Sequence, residues 1–161
     1  MKTLLSGILI TLLILTGCSS VRIPTEQINA ITHKVQTADF TIRATHVYPL
    51  RGGLIYLDPG YTLKIHNDSV FAYLPYFGVA HSAPMGVDNG IKLNEPANDY
   101  QTTTDKKGNG WQIKFNANHN GQTYHFMLNI TNGGNASFSV TPNSSDPISY
   151  TGDIITESVS L

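Results

Sequence analysis

The sequence is poor in charge and almost without cysteine. Charged residues make up 13% of its 161 positions, about half of the quarter that is usual in a soluble domain. Ten Lys and Arg stand against eleven Asp and Glu, for a net charge of −1. That balance excludes a strongly basic nucleic-acid binder, an acidic disordered tail and a Glu/Lys-rich coiled coil, so no nucleic-acid partner is expected. A single cysteine excludes an intramolecular disulfide framework and a Cys-rich zinc module. The only glutamates are Glu26, Glu95 and Glu157, and most Asp residues stand beside Pro, Gly, Asn or Lys, as turn formers do. There is no G-x-S-x-G elbow and no H-E-x-x-H pair. Asp88-Asn89-Gly90 lacks the spaced carboxylates and closing Glu of a calcium loop. His33, His46, His66, His81, His119 and His125 show no ligand spacing, and the adjacency of His81 and Ser82 does not make a dyad. No cofactor, metal or catalytic residue is expected, and a hydrolase is the weakest functional reading. What the chain has in abundance is Thr, Ser and Asn, 42 residues together, which predicts a polar but weakly charged surface.

The first residues set the compartment. Lys2 precedes a wholly uncharged, mostly apolar run from Leu4 to Leu15, which suits a signal-peptide core and is short for a span of about 20 residues. Leu15-Thr16-Gly17-Cys18 resembles the lipobox of bacterial lipoproteins. The resemblance implies a diacylglyceryl group on the Cys18 thiol, cleavage before Cys18 and acylation of the new amino terminus. Residues 1–17 are then a lipoprotein signal peptide, 18–25 a tether and 26–161 a single β domain. Two or three acyl chains, at about 0.8 kcal/mol per buried methylene, hold such a protein on a membrane. Ser19 rather than Asp follows the cysteine, which by resemblance to known sorting signals points to the outer membrane, on its periplasmic or cell-surface side.

After the tether, Thr25 can cap a helix, Glu26 suits its positive end, and Ile28, Ile31 and Val35 recur at helical spacing. The expected helix is Glu26–Gln36, too short to be stable alone. From Asp39 the period becomes 2. Phe40, Ile42, Ala44 and Tyr48 form one face of a first strand, with His46 in phase with them as a half-buried imidazole. Short strands follow at Leu54–Leu57, Tyr61–His66, Ser69–Leu74, Gly90–Asn94 and Tyr100–Thr104. The cleanest alternation sets Trp111, Ile113, Phe115 and Ala117 on one face, then Tyr124, Phe126, Leu128 and Ile130, then Ala136, Phe138 and Val140. A last strand carries Ile148, Tyr150 and Ile154. Asp58-Pro59-Gly60, Asn67-Asp68, Asn118–Gly121 and Asn132–Asn135 are the turns. One apolar face per strand predicts an all-β antiparallel meander curled into a small barrel or two-sheet sandwich, the helix covering an open end or face.

The stretches Gly60–Ile65 with Asp68-Ser69-Val70, Tyr73–Gly78, Ser82-Ala83-Pro84, Gly90-Ile91-Lys92, Lys106-Lys107-Gly108 with Trp111–Phe115, and Asp146–Gly152 together resemble the domain-of-unknown-function family 4251 of bacterial lipoproteins. The resemblance covers nearly all of Phe40–Ile154. It implies a Gram-negative envelope setting and an all-β domain, and it brings no activity, cofactor or catalytic residue.

One segment has neither period. Pro75–Asn89 is unusually apolar for a loop, and long structureless loops in compact domains are often functional or packed. Tyr76, Phe77, His81 and Met85 are its candidate binding residues, toward a protein, a glycan or a small apolar ligand. Equally, these side chains could plug an end of the barrel. Asp68-Ser69-Val70 resembles a bacterial O-glycosylation acceptor, but a hairpin turn entering a strand is the better explanation of it. Two functions lead: a non-catalytic binding or interaction module on a lipid tether, and a structural or accessory subunit of an outer-membrane complex. An internal cavity would favour the first, and a filled core with an exposed apolar loop the second.

Overall fold

The computed structural model describes residues 23–78, 90–106 and 108–156. The predicted signal segment, Cys18 and most of the tether lie outside them. Helix α1 is Thr25–Gln36; the strands are β1 (Phe40–Pro49), β2 (Ile55–Tyr56), β3 (Thr62–His66), β4 (Ser69–Pro75), β5 (Gly90–Pro96), β6 (Asn98–Thr104), β7 (Gly110–His119), β8 (Gln122–Thr131), β9 (Asn135–Pro142) and β10 (Ile148–Ile154). The helix begins one residue early. Pro24 (φ −58°, ψ 138°) holds the cap position, with no side-chain cap bond, and its carbonyl accepts from the Ile28 amide at 3.2 Å. Thr25 is therefore the first helical residue rather than the cap.

The strands form one antiparallel sheet in the order β5-β4-β3-β1-β10-β9-β8-β7-β6, with β2 on β1. It is two meanders, β3–β5 and β6–β10, joined by β1, which pairs with both β3 and β10. A nearly closed, barrel-like sheet results rather than a two-sheet sandwich, because one bent ribbon reaches both sheet ends. β5 pairs with β4, β6 with β7, and only Ala97 separates them. The corner is held by the Ala97 amide on the Asp68 carbonyl at 2.8 Å and by Asp99 at φ +55°. The hairpin turns follow their sequence signals. Asn67 and Asp68 both have positive φ, as do Asn120 and Gly121, which is the geometry a two-residue turn needs to match strand twist.

Alternation places the expected apolar faces inward. Leu63, Ile65, Val70, Leu74, Ile113, Leu128, Val140 and Ile148 are all buried. Phe115 stacks on Phe126 at 4.6 Å between centroids and Phe138 on Tyr150 at 5.0 Å, pairs worth about 1 kcal/mol beyond their area. β1 departs from its predicted phase. A bulge lies between Ala44 and His46 in the pairing with β10, and one extra residue reverses which side faces in. Val47 is buried, while Tyr48 is exposed and His46 turns to the outer face beside Tyr56.

Helix α1 closes one end of the barrel. Ile31 and Val35 are buried, each worth about 2 kcal/mol by area. A Cβ at Gly134 (φ +89°) would come within 3.0 Å of Ile31, so the β8–β9 turn can meet the helix only with glycine there. The other end, where β1 and β4 finish, is closed by tyrosines. Tyr150 donates to the Pro75 carbonyl at 2.7 Å and Tyr76 to the Asp146 carbonyl at 2.8 Å.

Candidate functional site

The sequence-predicted loop is divided by the structure. Tyr76 is half-buried against the core, with its hydroxyl bonded, so it plugs the barrel end. Phe77 beside it is 48% exposed. His81 and Met85 lie outside the described residues. Leu50, Leu54 and Tyr48 are also exposed, and strand direction puts them at the same end as Phe77. Burial pushes the hydroxyls of Tyr76, Tyr124 and Tyr150 above their ordinary pKa.

Two His–carboxylate pairs resemble in outline the orienting half of a catalytic triad. His119 Nδ1 lies 2.7 Å from Glu95 Oε1 and His66 Nδ1 lies 2.9 Å from Asp39 Oδ1. In both, the second nitrogen is taken as well: Asn120 Nδ2 is 2.9 Å from Nε2 of His119, and Asn67 Nδ2 is 3.0 Å from Nε2 of His66. An amide donating to Nε2 fixes the proton on Nδ1, toward the carboxylate, and occupies the lone pair a general base needs. Each trio ties a hairpin turn to another element. His119–Glu95 staples the end of β7 to β5, across the barrel seam. The bond to His66 holds the Asp39 carboxyl below its ordinary range. His125 Nδ1 bonds Asn116 Oδ1 at 2.7 Å. Among the described residues no three His, Cys, Asp or Glu side chains are grouped to hold a metal ion.

Concavity lies on the outside. A groove of about 790 Å³ runs over the outer face of β1, β10, β9, β8 and β7, bounded by Thr104 at the end of β6 and by Asp105, Lys106 and Asn109 of the β6–β7 connection. The strand register brings seven outward side chains into one row: Thr103 of β6, Gln112 of β7, Asn129 of β8, Ser137 of β9, Thr151 of β10 and His46 of β1, which line the groove, and Tyr56 of β2, which continues the row past its edge. Gln112 Nε2 donates to Asn129 Oδ1 at 3.3 Å. His46 Nδ1 is 2.8 Å from Thr45 Oγ1, and its ring lies 4.7 Å from that of Tyr56. A smaller groove of about 330 Å³ beside it carries both signs of charge, Asp99 and Lys114, with Asn116 and His125. The outer face of β3–β5 is built differently. There Tyr61 stacks on Tyr73 at 5.5 Å, Lys92 lies over Tyr73 and Lys64 over Phe71. Sequence reasoning missed the seven-residue row. Its only local signal is the run of uncharged polar residues at outward positions.

No helix among the described residues is long and apolar enough to cross a membrane. A family model described as "Domain of unknown function (DUF4251)" matches residues 24–154. The crystal structure of a DUF4251 family protein from Bacteroides eggerthii DSM 20697 is similar, with a TM-score of 0.64 at 20% identity over 80% of this chain and 87% of that one. At that identity the likeness is one of fold. No curated protein matches the chain.

Proposed function

This chain belongs to the DUF4251 family, and we propose that it is a lipid-anchored envelope protein whose β domain is a non-catalytic binding module working from its outer face. The anchor reading rests on the leader and on Leu15-Thr16-Gly17-Cys18; it puts the protein on the outer membrane. No internal cavity supports the binding reading. The described interior is filled with packed apolar side chains, which with exposed Leu50, Leu54 and Phe77 is the combination expected of an accessory subunit. The binding reading rests on one other observation, the 790 Å³ groove outside, on paired strands. An internal apolar ligand of the lipocalin kind has no place in such a core. Side chains fixed on strands make a preorganised surface.

Cys18 is the only thiol, which supplies the test. In a Ser137→Cys variant whose Cys18 is lipidated, position 137 is the one free thiol. It should react with a polar maleimide more slowly in intact envelopes than in purified protein, whereas Tyr73→Cys, on the opposite face, should react equally in both. Equal reaction at both positions overturns the binding reading. Recovery of Cys18→Ser protein in the membrane fraction overturns the anchor. A second reading, an accessory subunit docked through the apolar end, is favoured by the exposure of Leu50, Leu54 and Phe77 together.

A further inference from the structure

We infer that the outer groove takes a neutral glycan, laid across the strands along the row from Thr103 to Tyr56. The inference deepens the binding-module reading and rests on it. The row holds two hydroxyl-bearing threonines, a serine, a glutamine, an asparagine, an imidazole and a phenol, and contains no Asp, Glu, Lys or Arg. At the usual strand spacing it extends about 29 Å, six steps of about 4.8 Å, which is the reach of several linked sugar rings rather than of one small metabolite.

Each competing ligand class meets a specific mismatch. A phosphate- or sulfate-bearing ligand wants cations, and the row offers none; Lys106 at the groove's edge has Asp105 and Asp153 in the same lining. A purely apolar ligand would strip water from the amides of Gln112 and Asn129 and from the hydroxyls of Ser137 and Thr151 without replacing those bonds, which is unfavourable. An extended peptide binds sheets through unpaired edge backbone, whereas β7, β8, β9, β10 and β1 are hydrogen-bonded on both sides. A sugar chain fits both halves of the surface. Its hydroxyls donate and accept in the manner of side-chain amides and hydroxyls, and its C–H faces pack on an aromatic ring. Tyr56 provides that ring at the end of the row, just past the groove's lining, 76% exposed and steadied by His46. Gln112 and Asn129 hold each other's orientation, leaving the Asn129 Nδ2 and Gln112 Oε1 for the ligand. The Thr45 contact occupies Nδ1 of His46, so Nε2 is the nitrogen that can meet a hydroxyl. The same chemistry serves a free oligosaccharide and a glycan attached to the envelope.

The test uses the full chain in a detergent without a sugar headgroup. Cellohexaose, maltohexaose, mannohexaose, xylohexaose and chitohexaose are titrated by calorimetry, and purified envelope polysaccharide by sedimentation. Saturable binding to at least one, weakened tenfold or more by Tyr56→Ala and by Asn129→Ala, unchanged by Tyr73→Ala and nearly flat between 50 mM and 500 mM salt, is expected. Preference for the soluble hexasaccharides or for the sedimented polysaccharide tells the two sources apart. Tyr56 and Asn129 are outward and exposed, and an unchanged melting temperature verifies that the variants fold. Binding to none of these, or binding indifferent to both row variants, overturns the glycan. If the Ser137 thiol is nonetheless shielded in envelopes, the module reading survives with another ligand, such as a protein; if it is not, both fall.

Discussion

The two outer faces of the barrel sit on strands of one sheet, with the same kind of apolar residue behind them, and they differ in what they leave unused. On β3–β5 the outward side chains are satisfied by neighbours: Lys92 over Tyr73, Lys64 over Phe71, and Tyr73 on the half-buried Tyr61 just before β3. Cross-strand pairs of this kind add a few tenths to about 1 kcal/mol each. On β6–β10 the outward row is also linked, Gln112 to Asn129 at 3.3 Å and Thr151 to His46 at 3.4 Å, but its amides and hydroxyls carry more donors and acceptors than these bonds use. The first face serves stability. The second has hydrogen-bonding capacity beyond what the fold requires, and a surface of that kind suits recognition.

The comparison breaks completely if the sheet bearing both faces is bent out of shape. A Cβ at Gly152 would collide with the Arg43 carbonyl and press on Ala44 Cα at 3.0 Å, where β10 passes the β1 bulge. Because the obstacle is backbone, Gly152→Ala should lower stability by about 3 kcal/mol or more, read as a fall in the urea midpoint. A loss under about 0.5 kcal/mol would mean that the pinch at the bulge is not a constraint.

A double comparison sharpens the division of labour. Tyr73→Ala removes a stacked ring and a cation partner, so it should cost about 1 kcal/mol in urea unfolding and leave groove binding alone. Ser137→Ala should change stability by less than about 0.5 kcal/mol, as exposed substitutions do, and act on binding. The reverse pattern would assign the recognition surface to β3–β5.

The inward face of this domain was legible because period-2 alternation is a local property. Phe126, Leu128 and Ile130 share one face of their strand whatever it pairs with. The Asn67-Asp68 turn was legible for the same reason, since it needs two residues that tolerate positive φ. The bulge at Thr45 was not. A single inserted residue leaves no mark in composition, yet it moves Val47 inward and His46 out. Nor could the central place of β1, between β3 and β10, be read, because both partners are chosen by long-range packing. The groove row fails for a related reason: its seven residues lie between positions 46 and 151, and only the register of six strand pairs aligns them. The apolar loop drew attention by its composition, and Tyr76 answers for part of that as a plug.

The smallest expected effect concerns the first turn. The carboxyl of Asp39 is held below its ordinary pKa chiefly by the hydrogen bond to His66. Its contribution to stability is thus present above the unfolded-state value and is lost as pH falls through the lowered folded value. Because Asp39 is solvent-exposed, the effect on unfolding is slight. A carboxyl NMR titration should find the Asp39 midpoint rising toward the ordinary range in His66→Ala. An unmoved midpoint would mean that the imidazole does not hold the carboxylate.

The pairing of β1 with β10, Ile42 opposite Ile154 and Pro49 opposite Ile148, orders events in time. β1 is the first strand of the sheet along the chain and β10 the last, so their seam is the last of the sheet that can zip. Until then each meander can form hairpins but presents a bare apolar side, and α1 waits for Gly134 and Ile154 to complete its seat. Such non-local closure makes for slow folding and a long exposure of sticky surface. A nascent chain stopped short of residue 148 would be an aggregation hazard rather than a smaller working domain, so escort is most needed until β10 has emerged.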